Sequence, residues 1–344
     1  MPLTLPRALI AIVVVGAIVA AIGWFGRPDL AAGGGGTIIV VDTVIDENES
    51  NSSCSLREAI VASNNDANYR GCIALGAGED LIEFSLGPGT PTIALTSQLP
   101  AIGDAVVIDG GPNRVEIRGP GNGFGFFVSS DFVSLLRLVI NNFNIGIQVY
   151  ESSNVTIAGS YIGTNATGAA AIPNGFGITV FEGSTAQSMI RIGGTNGLTP
   201  GGPCTGDCNL ISGNTNNGVN ASSNTVVQGN FIGTNVSGTG PIGNGAGVEL
   251  AGPVQVGGPS AAAGNLISGN TVAGIQYLAN MGAATIQGNK IGTNALGTLP
   301  VPNGIGIHFN GGGAGTVIGG PDPGARNLIS GNATDGIRNA SQEC

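Results

Sequence analysis

The residues with the means to do chemistry are sparse in the second half of this chain. After residue 152 the carboxylates are Glu182, Asp207, Glu249, Asp322, Asp335 and Glu343, and the single histidine is His308. Glycoside hydrolysis needs carboxylates converging within about 5–10 Å. Base-catalysed elimination needs clustered acids to hold Ca²⁺ beside an Arg or Lys base. These acids are scattered and several stand in turn-like strings, so neither chemistry is written in their spacing. Asp131, Glu151 and Glu182 could share a face across successive coils, but their spacing does not place them there. Asp109, in "VVIDGG", reads as an Asx turn at the end of a strand. His308 has no neighbouring acid and reads as an ordinary strand histidine. No catalytic residue, metal ligand or cofactor is assigned.

The cysteines carry a different chemistry. Cys204 and Cys208 sit in "CTGDC", close enough for a small loop disulfide, and Cys54 and Cys72 bracket a predicted helix whose ends they could tie; Cys344 is left over. A zinc reading of "CTGDC" has one nearby acid and no nearby histidine, which is too little. Disulfides imply an oxidising compartment. The N-terminus agrees: Arg7 precedes an apolar run from Ala8 to Phe25, followed by the tether "GRPDLAAGGGG". That pattern reads as a signal peptide or an uncleaved transmembrane anchor, with the rest of the chain extracellular or on the cell surface.

The elements that would position any site are short and numerous. Glycine reaches 62 of 344 residues, while charged residues make up 9% and aromatics 5%. Mean hydropathy of +0.29 excludes a disordered chain, and a net charge of −10 excludes a nucleic-acid partner. The string "NLISGN" occurs at 209–214, 265–270 and 327–332. It belongs to longer phrases that alternate with a second type, "TIQGNKIGTNALGTLPVPNGIGI" at 285–307 and its relatives at 156–178 and 225–248. Two phrase types in strict alternation give paired coils at 156–219, 225–275 and 285–337, each coil of about 30 residues, the period of a solenoid. No stretch after 152 keeps a helical apolar period. Three short strands per coil predict an all-β parallel β-helix of about nine coils, with Ile of "NLISGN" inward. Asn tolerates positive φ at corners and stacks as an amide ladder; Asn214, Asn235, Asn270, Asn294 and Asn332 are the predicted ladder.

The segment 54–60, "CSLREAI", places Ser55 as an N-cap with Glu58 at the capping-box position, predicting a short helix that covers the first open coil. Arg57 and Glu58 read as cap chemistry and a surface ion pair. Together with "TIIVVDTVIDENESNSS" before it and "DLIEFSL", "TIALTSQLPAI" and "VVIDG" after it, this string resembles the CSLREA domain over about 37–110. The later coils resemble the pectin-lyase-like superfamily. The resemblance implies a right-handed parallel β-helix on an exported microbial surface protein, and carries no catalytic residues with it. The expected organisation is 1–36 export segment and tether, 37–110 cap and first coils, and 111–344 repeats. The expected role is structural, adhesin-like or glycan-binding. Its partners would be surface glycans or another surface protein, with the membrane reached through the N-terminal helix. The competing expectation is an extracellular polysaccharide lyase or glycoside hydrolase. The aromatics Phe143, Tyr150, Tyr161, Phe176, Phe181, Phe231, Tyr277 and Phe309 are expected mainly to fill corners, with a sugar-stacking stripe as the alternative.

Overall fold

The computed structural model describes residues 35–181, 189–277, 282–311, 313 and 315–340. The apolar run at 8–25, and with it the signal and anchor readings, lies outside the described residues, as do Glu182, Glu343 and Cys344. No helix among the described residues is long and apolar enough to cross a membrane.

The chain visits three sheets in rotation. Val155–Ala158 lies in the first, Tyr161–Ile162 in the second and Phe176–Phe181 in the third, and Ile190–Gly193 returns to the first. Each strand pairs in parallel with its equivalents one turn before and after, as Thr156 does with Ser134 and Arg191. The described residues give sheets of ten, nine and eight strands, a parallel β-solenoid. The ten-stranded sheet runs from Ile38–Val41 to Val317–Ile318 and crosses position 110 without a break.

Side chains alternate across each strand, so every second residue enters the interior. In the nine-stranded sheet each strand supplies an isoleucine at one register position: Ile93, Ile117, Ile140, Ile162, Ile211, Ile232, Ile267, Ile291 and Ile329. All but the last are at most 1% exposed. β-Branched side chains suit this pleated file, and each contributes roughly 1.5–3 kcal/mol by burial. Ile211, Ile267 and Ile329 are the isoleucines of the three hexapeptides.

The hexapeptide also holds an asparagine of each of two buried amide ladders. One runs Asn174, Asn214, Asn244, Asn270, Asn303, Asn332, each Nδ2 donating to the next Oδ1 at 2.9–3.0 Å. The other runs Asn209, Asn230, Asn265, Asn289, Asn327 at 2.9–3.1 Å. Asn270 is typical. Its Oδ1 accepts from the main-chain N–H and Nδ2 of Asn244, and its Nδ2 donates to the Ile232 carbonyl and to Asn303. Every hydrogen-bonding site of the amide is filled, as burial at 1% exposure requires. The serine between them works as well: Ser268 Oγ donates to the Thr293 carbonyl and accepts from the Gly292 N–H. Gly269 holds φ at +81°, a turn that L side chains resist. Gly274, after the corner, lies so close to the next coil that a Cβ would stand 2.7 Å from the Gly306 carbonyl oxygen.

Asn214, Asn270 and Asn332 therefore stand in one ladder, but Asn235 and Asn294 stand in neither. In the "IGTN" coils the chain leaves the core after Gly and makes a small hairpin, bridged at Thr234–Pro241 and Thr293–Pro300. Asn235 and Asn294 organise that hairpin instead, accepting from Thr239 and Gly240 and from Thr298 and Leu299. The ladder position in these coils is the later Asn of "GNG" or "PNG", Asn244 and Asn303.

The helix Leu56–Asn64 begins with the reciprocal capping box of Ser55 and Glu58, and Leu56, Ala59, Ile60 and Ala62 enter the same core as Ile39 and Ile82. It stands where the first strand lacks companions, since the second sheet starts at Thr92–Ala94 and the third at Phe124–Val128. Arg57 and Asp46 are paired at 2.9 Å but not on the surface, their side chains being 14% and 1% exposed. Arg57 also donates to the Ser97 and Gln98 carbonyls, and Asn64 bridges Ala101 and Gly103. The helix is thus clamped to the main chain of the next coil.

Asn270→Asp removes the donor Nδ2, leaves the Ile232 carbonyl and Asn303 Oδ1 with one main-chain donor each, and sets a buried carboxylate oxygen against both; it is expected to cost at least about 3 kcal/mol, against about 1 kcal/mol for Asn235→Ala, read by denaturant unfolding. Burial raises the Asp46 pKa, but hydrogen bonds from Arg57 and Thr96 and the guanidinium charge outweigh it and hold the carboxyl below its ordinary 3.8. A depressed folded pKa gives stability that is present above the unfolded value and lost as pH falls through the folded one. Asp46→Asn is therefore expected to lower the melting temperature at neutral pH and to flatten its fall on acidification below about pH 4.

Candidate functional site

The sequence-predicted chemical residues are dispersed. Cys54–Cys72 and Cys204–Cys208 are disulfides with Cα separations of 4.7 and 5.3 Å, all four residues being buried. Asp207 accepts from the Asn196 N–H, Asp335 pairs with Arg338, and Asp131 accepts from the Ser153 N–H. Asp109 makes an Asx turn through the Gly111 N–H and pairs with Arg137. The Arg114 guanidinium lies 3.9 Å from the Tyr161 ring centroid and donates to the Gly159 carbonyl. Among the described residues no three His, Cys, Asp or Glu side chains are grouped to hold a metal ion.

The aromatics divide by environment. Phe143, Tyr277 and Phe309 are interior, with the last two rings 5.6 Å apart. Tyr161 and Phe231 lie on the outer face of the nine-stranded sheet, where Tyr161, Cys204, Cys208 and Leu210 form a second, smaller core and Phe231 packs against it. Tyr150 and Phe181 remain exposed, at 43% and 51%, on the outer face of the eight-stranded sheet, and they are register partners on adjacent strands. Phe127 stacks on Tyr150 at 6.1 Å with a 23° interplanar angle, and Phe124 tilts against Phe127 at 5.4 Å. The strand Phe124–Val128 places Phe126 and Val128 inward and Phe127 outward. Phe124 and Phe127 were not singled out from the sequence; the alternation within "FGFFV" is the signal that finds Phe127.

From this aromatic end a row of outward residues runs along the same sheet in register: Phe127, Gln148, Thr179, Asn220, Glu249, Gln276, His308 and Arg338. Strand spacing sets their separation at about 4.8 Å. His308 is accordingly a strand residue between Gln276 and Arg338. Asn217 donates to Asn220 at 2.8 Å and fixes its amide. Burial pushes the Glu249 pKa above the ordinary carboxylate value, and a hydrogen bond to Asn217 only partly offsets this. Gln148 and Thr179 are buried, at 3% and 5% exposure, so the accessible part of the row runs from the half-buried Asn220 to the exposed Arg338. The exposed Tyr150 and Phe181 faces can stack on C–H-rich rings, and the amides, carboxyl, imidazole and guanidinium of that part can hydrogen-bond to hydroxyls.

No protein-family model matches this chain, and a search of curated proteins finds no match.

A raised folded pKa disfavours folding once the group ionises: the penalty is absent below the unfolded carboxylate pKa and complete above the folded one. Glu249→Gln is therefore expected to raise the melting temperature at pH 7, with the difference from wild type vanishing below about pH 4.

Proposed function

We propose that this chain is an exported, surface-displayed, right-handed parallel β-helix of about nine coils with a structural, adhesin-like or glycan-binding role, and that its contact surface is the outer face of the eight-stranded sheet. The observation that carries the reading is the exposed Tyr150–Phe181 pair, backed by Phe127, with the half-buried to exposed polar residues from Asn220 to Arg338 farther along the same sheet. Export is supported by the Arg7-led apolar run, the two disulfides and the resemblance to the CSLREA domain. The low charge density of the repeats suits recognition by stacking and neutral hydrogen bonds. A polysaccharide lyase or hydrolase needs converging carboxylates, and no geometry among the described residues favours that reading.

Binding of the full chain to a glycan array, together with cell fractionation, tests this. The proposal expects selective glycan capture and a surface or extracellular location. Tyr150→Ala and Phe181→Ala should each weaken capture by about tenfold, the scale of a lost stacking contact plus its buried area, with both variants still folded by circular dichroism. A cytosolic location, robust uronate cleavage by the purified protein, or capture indifferent to both substitutions contradicts it.

A further inference from the structure

A second site lies on another sheet and does not depend on the glycan reading. On the outer face of the nine-stranded sheet one register file reads Val139, Tyr161, Leu210, Phe231, Leu266, Lys290, Leu328. Lys290 is its one polar-headed aliphatic member. Loops cover the file: Leu210 is 0% and Leu266 4% exposed. The disulfide-closed insert and the hairpin at 293–300 do not fill the space above it. They leave a hollow of about 90 Å³ whose lining includes Leu198, Pro200, Phe231, Leu266, Lys290 and Ala295. Gly201 of the insert stands within about 4 Å of the hairpin, where its Cβ would approach Leu296 Cδ2 at 3.2 Å and the Ala295 carbonyl at 3.7 Å.

Lys290 is a half-buried lining residue of this hollow, and its ammonium has one hydrogen-bond partner in the structure. Lys290 Nζ donates to the Ala295 carbonyl at 2.5 Å. The ion pairs among the described residues join Arg57 to Asp46, Arg118 to Glu116, Arg137 to Asp109 and Arg338 to Asp335, and leave Lys290 without a carboxylate. A cation withdrawn from water calls for an anion, and apolar walls call for a hydrocarbon body. Burial also lowers the Lys290 pKa, in keeping with a missing counter-charge.

We propose that this hollow binds a short carboxylate with a compact apolar body, its carboxylate on Lys290 Nζ and its hydrocarbon against Phe231 and Leu266. The volume is smaller than the ~150 Å³ cavity that holds benzene, so the body is limited to about three or four carbons. Ligand-observed NMR titration of the full chain with butyrate, acetate and butyramide tests the site. Butyrate is expected to saturate a single site with a half-point on the order of 1 mM, within reach of so small a ligand. Acetate, lacking the body, and butyramide, lacking the charge, should each bind at least fivefold more weakly. Lys290→Met should abolish saturation, and Ala262→Leu, which enlarges another lining residue of the hollow, should do the same. Butyrate that fails to saturate, or binds no better than butyramide to the unaltered protein, overturns the proposal whether or not the variants fold. Equal butyrate binding by a folded Lys290→Met also overturns it.

Discussion

Everything in this solenoid depends on filling the hydrogen-bonding groups of a chain that must turn corners inside a dry core. A helix or a flat sheet satisfies its own main chain, whereas a corner leaves carbonyls and N–H groups pointing inward. Two asparagine ladders meet that demand. Asn230 and Asn265 on one, and Asn244 and Asn270 on the other, each donate to a main-chain carbonyl and to the amide of the next coil, and each accept from the coil before. Only a carboxamide of this length offers two donors and two acceptors in that fork. The isoleucine file supplies apolar area, but the ladders fix where each isoleucine stands.

The ladders also explain which parts of the fold were legible in the sequence. "NLISGN" shows one asparagine from each ladder because its coil crosses the second sheet without interruption. In "KIGTN" coils the hairpin carries Asn294 outward and postpones the ladder residue to Asn303, so likeness of wording between "ISGN" and "IGTN" pairs the wrong asparagines. Local wording cannot show that the chain departs and returns between Gly292 and Val301; the hydrogen bond from the Val301 N–H to the Gly292 carbonyl does. The capping box was legible because Ser55 and Glu58 are three residues apart, whereas the burial of Arg57 depends on Asp46, Ser97 and Gln98, distant in sequence.

Stacking identical corners constrains the interior and frees the exterior. Inside, a changed volume in one coil must be matched by its neighbours, as Tyr277 and Phe309 do by packing against each other. Outside, successive coils carry unrelated side chains at one register position. The nine-stranded sheet uses that freedom for an apolar file under loops, and the eight-stranded sheet uses it for exposed aromatics and a polar row. The aromatic division was not legible because Tyr150 and Tyr277 end strands of similar wording, "GIQVY" and "GIQY", yet the shorter strand brings its tyrosine one residue earlier and turns it inward.

The most direct test of the ladders is hydrogen exchange at asparagine side chains, read by ¹⁵N NMR on the native protein. The Nδ2 protons of Asn244 and Asn270, flanked by ladder partners on both sides, should exchange only with global or large sub-global unfolding, while those of Asn235 exchange as exposed amides do. Fast exchange at Asn244 and Asn270 in the folded protein would contradict the account.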